Sequence, residues 1–555
     1  MRKLIYPWAL LALLAPSTFA QSPLTKILAD ELDRNYSTLK QKADPTPYFM
    51  GYEVADSEAH VLVASGGSLT IQRHQRSRIL DTTVRVGTPK FDNYRRVNGQ
   101  VLRFTVPAAL PVEDSPAAIR RLVWIATDRV YKGASQRFIQ IKSDDKLRAA
   151  PSDGSDDFSS EQPEVSYGVT PPLRFDANEW AGRLRKLSAE FKKYPGAINA
   201  DVSMQVQRIA QTLVTTEGTR VEHGRLFSRI IITARGKAQD GLDLSTMESF
   251  ETDEPSRLPK DSEILTAVAK AGRDLEALLK ARPADPFVGP AILSGRAAGV
   301  FFHEIFGHRI EGHRQKDESE GQTFTKSVGQ PILPTFLSVV FDPTMRQFGG
   351  MMLNGAYLFD NEGVKARRVT MVEQGVLKTF LMSRSPINGF PTSNGHGRRQ
   401  TGLEVVSRQS NLFVESSNRV SDAELREKLI AEVKKQNKPY GLYFDQVTSG
   451  YTTTSRRGLQ AFTVVPIAVY RVFPDGRPDE LIRGVDIVGT PLSSFNAILA
   501  TSERREVFNG ICGAESGSVP VAAIAPALLV SSIEIQRKER QQDTPPYLPR
   551  PEGGK

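Results

Sequence analysis

At 555 residues the chain is too long for one ordinary domain and long enough for two to four with sizeable cores. A composition 39% hydrophobic and 24% charged excludes wholesale disorder. The formal charge of +9 is thinly spread, in short runs such as Arg398-Arg399, Arg456-Arg457 and Arg504-Arg505, which argues against a nucleic-acid-binding surface.

The N-terminus reads as a cleavable export signal. Met1-Arg2-Lys3 is a positive leader, Leu4 to Ala15 a short apolar run, and Ala20 a small residue before Gln21. Residues 1–20 are therefore expected to be removed, leaving a periplasmic or secreted protein. No other stretch reaches the roughly 18 apolar residues of a spanning helix, and no cysteine stands near the cut, so no membrane anchor is expected. Cys512 is the single cysteine, so no intrachain disulfide can form. In an oxidising compartment a lone thiol needs burial, a second chain or a metal.

Helical periodicity follows over residues 24–41, and strand-like runs over 47–107 suggest an antiparallel sheet. Pro116–Lys132 reads as a helix with its proline at the start. Residues 150–170 are rich in Ser, Asp, Pro and Gly and read as a surface loop. Residues 177–194 are helical, strands recur from Asp201 to Glu251, and Asp261–Ala281 is an amphipathic helix. Pro283, Pro286 and Pro290 then mark the best domain boundary. Beyond it Gly295–Glu311 reads as a helix, followed by about two hundred residues of short β-like runs separated by turns. No internal repeat is visible. The division expected is a signal peptide (1–20), an N-terminal α/β domain (21–285), a C-terminal strand-rich antiparallel β domain (286–536) and a disordered tail (537–555), an α+β chain overall.

Three of the seven histidines fall in Phe302-His303-Glu304-Ile305-Phe306-Gly307-His308-Arg309-Ile310-Glu311-Gly312-His313. A two-histidine zinc motif on a helix usually has H-E-x-x-H spacing, which puts both rings on one face. Here His303 and His308 are five apart. Five steps of about 100° leave them roughly 140° apart around a regular helix. Joint metal binding therefore requires a break or bulge near Phe306–Gly307, where the glycine permits one. A catalytic zinc takes three protein ligands. Local candidates for the third are Glu304, Glu311 and His313; the remote one is Cys512 in Asn509-Gly-Ile-Cys-Gly513, whose glycines suggest an open turn. Glu304, beside a ligand, suits a general base acting on water. His60, His74 and His223 show no partner and read as structural.

These pieces, in this order, resemble the TldD/PmbA family of metalloproteases, and specifically its metal-bearing TldD-type subunit. The matching elements are His303-Glu-x-x-x-His308 after Ser294-Gly-Arg-Ala-Ala-Gly299, Lys326-Ser-Val-Gly-Gln330, Phe359-Asp-Asn-Glu-Gly363, Met371-Val-Glu-Gln-Gly375, Gly395-His-Gly-Arg-Arg399 and Gly510-Ile-Cys-Gly513. The resemblance covers residues 285–535. It implies zinc held by His303, His308 and Cys512, with Glu304 activating water, in a dimer holding small or unfolded peptides in an enclosed cleft. The dimer is either self-paired or formed with a metal-free PmbA-type homologue. His396, between two glycines, is a further catalytic candidate as an oxyanion donor. Arg398 and Arg408 are candidates for a substrate carboxylate, and Tyr451 for a phenol donor. The expected function is an exported zinc peptidase; the competing reading is a zinc-bearing peptide-binding or assembly subunit without turnover.

Overall fold

The computed structural model describes residues 20–95, 105–143, 153–458 and 461–538. The expected signal and tail lie outside the described residues, apart from Ala20, Arg537 and Lys538. Among the described residues no helix is long and apolar enough to cross a membrane.

The first half of the chain is built on an eight-stranded sheet. Two long hairpins dominate it, Pro47–Ser65 with Ser68–Thr88 and Asn199–Thr215 with Arg220–Lys237, joined because the first strand of each pairs with the other. The period-2 alternation of a strand assigns the two faces. Met50, Tyr52, Val54 and Leu62 share one parity and meet the helices. Helices Pro23–Lys42 and Pro116–Ser143 cover one end of this face, and Ala177–Ala189 with Asp261–Lys280 the other. A helix–hairpin–helix unit thus occurs twice, a repetition the sequence does not display. The opposite face meets the second half of the chain. Glu53, Leu213 and Val221 lie side by side across three strands; Glu53 accepts a hydrogen bond from Arg399 Nε at 3.0 Å, and Leu213 and Val221 pack on Phe359.

The second half is built on a thirteen-stranded sheet whose centre is the 21-residue strand Gly517–Arg537. This sheet is mixed rather than purely antiparallel. Phe287–Leu293 runs parallel to Gly441–Thr452, and Asn411–Ser416 parallel to Gly517–Arg537. Helix Gly295–Ile305 lies against the central strand, with every residue but Arg296 buried. Ser294 caps it, its side chain accepting from Ala297 N at 3.2 Å. Gly295 and Gly299 make the approach possible. A Cβ on Gly295 would sit 2.6 Å from Ala525 O, and one on Gly299 3.1 Å from the Ala523 Cβ. A helix so enclosed stays straight only while its neighbours allow, and the α-helix stops at Ile305.

Candidate metal centre

After Ile305 the chain does not continue as α-helix. Phe306 leaves the helix at φ −115°, ψ −56°, and Gly307–Ile310 forms a 3-10 turn. The rotation this introduces turns His308 back toward His303, and the two rings meet edge to face with centroids 5.0 Å apart. Gly307 is needed for a neighbour rather than for its own backbone. A Cβ there would fall 1.9 Å from Gln409 Oε1. Gln409 is fully buried and its Nε2 donates to His303 O at 3.3 Å, so it braces the end of the helix at the break.

Cys512 arrives from strand Ile498–Ala514, near its hairpin with Gly517–Arg537, where it pairs with Val519. The thiol therefore sits on a strand, not in an open turn. Its Sγ lies 3.2 Å from His303 Nε2 and 3.3 Å from His308 Nε2. The three donor atoms fall within 4.8 Å of one another. Tetrahedral zinc with N and S ligands separates N from S by roughly 3.5 Å, so the set needs to open by only a few tenths of an ångström.

The electrostatics favour a cation among these atoms. Burial pushes the Cys512 thiol up, but the charges of His308 and His303 and hydrogen bonds from both rings outweigh it and hold the thiol well below its usual range. Burial pulls His308 down, yet the adjoining thiolate and Glu311 carry it well above an ordinary imidazole. Both shifts favour a thiolate beside a positive charge, the electrostatic setting that a metal ion would supply. The donor set of two imidazoles and a thiolate fits zinc.

The surrounding groups hold these donor side chains in place. Glu311 is fully buried; its carboxylate lies 3.3 Å from His308 Nδ1 and accepts from Arg314 Nε at 2.8 Å. Although burial opposes it, His308 and Arg314 hold Glu311 down to about 2. It therefore orients His308 as a carboxylate partner rather than serving as a ligand. Arg408, also fully buried, donates to Cys512 O at 2.7 Å and Sγ at 3.3 Å and pairs with Glu311 at 3.5 Å. Neither the Glu311 nor the Arg408 role is visible from sequence spacing, since Arg408 lies a hundred residues from either partner's segment. His313 turns away to bond Glu515, which Arg314 also holds.

Two further candidates fall elsewhere. His396 does not line the cleft. It is fully buried between Phe341 and Tyr357, with Nε2 3.0 Å from Ser410 Oγ and Nδ1 3.2 Å from Asn394 O. Its flanking Gly395 serves chain packing, since a Cβ there would meet Lys365 O at 2.7 Å. His396 is accordingly a structural residue, and the oxyanion role expected for it does not hold. Arg398 is buried too, bonded to Gln409 O and stacked over Tyr357 at 4.7 Å.

His303, Glu304, His308 and Cys512 line one cleft of about 540 Å³. Tyr451 stands at its rim, 61% exposed. The far wall comes from the first half of the chain, through Arg229, Ile231 and Met247, a contribution for which the sequence gives no signal. Burial pushes the Glu304 carboxyl up against the opposing pull of His303 and His308. Among the described residues no side chain or backbone group hydrogen-bonds that carboxylate.

Comparison with known proteins bears on this domain. Residues 288–537 match the family described as the PmbA/TldA metallopeptidase C-terminal domain. Residues 288–537 are therefore a PmbA/TldD-type C-terminal domain. A metalloprotease of Methanocaldococcus jannaschii is 25% identical over 311 residues, which is 55% of this chain and 63% of that protein. A zinc metalloprotease TldD homologue of Saccharolobus solfataricus is 26% identical over 249 residues, 44% of this chain and 51% of that protein. The chain thus spans between half and two thirds of the length of these relatives. TldE from Thermococcus kodakarensis shares the fold over 93% of this chain and 100% of its own, with a TM-score of 0.61 at 12% identity.

Proposed function

We propose that this chain is an exported, TldD-type zinc peptidase acting on small or unfolded peptides. The observation that supports it most is the convergence of two imidazoles and the only thiol beside an unpaired, buried carboxyl on one cleft wall. His303, His308 and Cys512 would hold the metal. When bound, zinc supplies Lewis-acid polarisation of the scissile carbonyl and acidifies water. Glu304 takes the proton from the attacking water and passes it to the leaving amine, a role that suits a carboxyl raised toward neutrality. Tyr451, which lines the cleft, would donate a hydrogen bond to the oxygen that develops charge.

The cleft also offers a place for a substrate carboxylate. Arg296, Val300 and His303 follow one another at i, i+4 and i+7 on one helix face, and all three line the cleft. Seven residues rise about 10 Å, or some three residues of extended peptide. No carboxylate side chain lies within ion-pair distance of the Arg296 guanidinium among the described residues. Arg296 therefore binds a peptide carboxylate about three residues from the bond cleaved. A volume near 540 Å³ admits short or unfolded segments and excludes folded domains. The leader at residues 1–20 supports export, and a dimer with itself or with a metal-free PmbA-type relative completes the reading.

Glu304→Gln tests it. Hydrolysis of a fluorogenic peptide mixture should fall by about 10²–10⁴-fold while zinc content stays at the wild-type value. Cleavage that survives the substitution overturns the mechanism. Wild-type protein that binds zinc and peptide without turnover favours the binding-subunit reading instead.

A further inference from the structure

Outside the cleft, a second group of metal-binding side chains stands on the helix-bearing sheet. Glu58 and His60 are two apart on strand Pro47–Ser65, so they share a face. His74 on the neighbouring strand is the direct register partner of His60. The imidazoles of His60 and His74 stack with centroids 4.2 Å apart and planes 12° apart. Glu58 Oε1 lies 3.1 Å from His74 Nε2 and 4.0 Å from His60 Nε2. One donor atom from each residue falls within 4.8 Å of the others.

We propose that Glu58, His60 and His74 form a second metal site, taking a divalent transition ion of the zinc or copper type with water in the remaining position. Two imidazoles and a carboxylate are the ligand set such ions prefer over calcium or magnesium. The carboxylate is free for the role. Arg76, opposite Glu58, reaches Asp56 at 3.8 Å and Val112 O at 3.4 Å, while Arg208, its partner on the other side, donates to Pro171 O and Thr170 O. Glu58 forms ion pairs with the two histidines alone among the described residues. His60 is held by Phe175, whose ring centroid is 4.9 Å away, so one ligand is fixed. His74 is 54% exposed at its side chain and must turn out of the parallel stack to aim the in-plane lone pair of a ring nitrogen at an ion also held by His60, since metal–nitrogen bonds of about 2.0–2.1 Å need donor separations near 3.4 Å. The ion would clip together two strands that, at this point, His74 joins from the sheet edge.

The test counts zinc. Full-length mature protein is stripped with chelator and titrated with Zn²⁺ against a chromophoric competitor. His74→Ala, a change at an exposed side chain, is expected to lower the number of tight equivalents by one relative to wild type. Glu58→Gln should weaken that equivalent more than about tenfold. A His303→Ala/His308→Ala protein should keep it, which separates this site from the cleft. If His74→Ala binds as many equivalents as wild type, with the same affinities, the site does not exist.

Discussion

Gly307→Ala probes the break that brings His308 to His303. The new Cβ would lie 1.9 Å from Gln409 Oε1 and 2.3 Å from its Cδ, where ordinary contact begins near 3.4 Å. Gln409 must therefore retreat by about 1.5 Å. It is fully buried, and the move breaks its hydrogen bond to His303 O. Overpacking of about 1–3 kcal/mol and a lost hydrogen bond of about 1 kcal/mol together suggest a loss of roughly 2–4 kcal/mol. For a domain near 250 residues that is a fall in Tm of roughly 5–15 °C. Scanning fluorimetry reads the Tm, and metal analysis with a peptide assay reads the site, where zinc affinity and turnover should both drop. The decisive measurement is the double variant. In a Gln409→Ala background the clash is gone, so Gly307→Ala should cost at least about 1 kcal/mol less than in wild type. Strictly additive effects, or a single variant with wild-type Tm and full zinc, would refute the account of the break.

Gly450→Ala places a Cβ 2.6 Å from Glu304 Cγ and displaces the general base; kcat should fall while zinc content, read by metal analysis, is unchanged. Arg296→Ala should raise KM for peptides with a free carboxylate and leave amidated peptides unaffected, as steady-state kinetics on matched pairs will show. His223 gives a pH signature in stability. Burial pulls its imidazole down to about 4, against roughly 6.5 in the unfolded chain. The unfolded state thus takes up the proton first as the solution is acidified. The His223 contribution is full above pH 6.5 and is lost as pH falls toward 4, in all about 3 kcal/mol. Denaturant unfolding at pH 7 and pH 4.5 should show a smaller difference for His223→Leu than for wild type.

The convergence of His303, His308 and Cys512 was legible because it depends on residue type. A chain with one cysteine and a histidine pair at a spacing no regular helix can use leaves few ways to build a zinc site. The helix stop at Ile305 follows from the same misfit. The brace at the stop was not legible, because it is the side chain of Gln409, about a hundred residues away and recognisable only by contact. Glu311 was visible as a nearby carboxylate, but whether it binds metal or orients His308 depends on Arg314 and Arg408 neutralising it. His396 was misread for a related reason. Glycines beside a histidine suit a close-approach loop, and what approaches here is the backbone at Lys365 instead of a substrate. The N-terminal elements were readable one at a time, helix Pro116–Ser143 running eleven residues beyond its expected end. Their twofold recurrence was not, since it resides in topology and not in shared residues.

The sheet that carries those two units also sets a lever. Near one end of its helix-free face, Glu53 and Asp81 hold Arg399, and Glu217 in the second hairpin turn holds Arg384 at 2.7 Å. Arg229, on the cleft wall, lies eight residues, or roughly 26 Å, along its strand from Val221, which pairs with Leu213, the register partner of Glu53. A tilt of about 3° about the anchored end would shift the wall by roughly 1.4 Å over that span. The ion pairs that fasten the two halves thus sit on the same sheet as the cleft wall, and a substitution that loosened them would reach substrate fit through that sheet from far beyond His303 and Cys512.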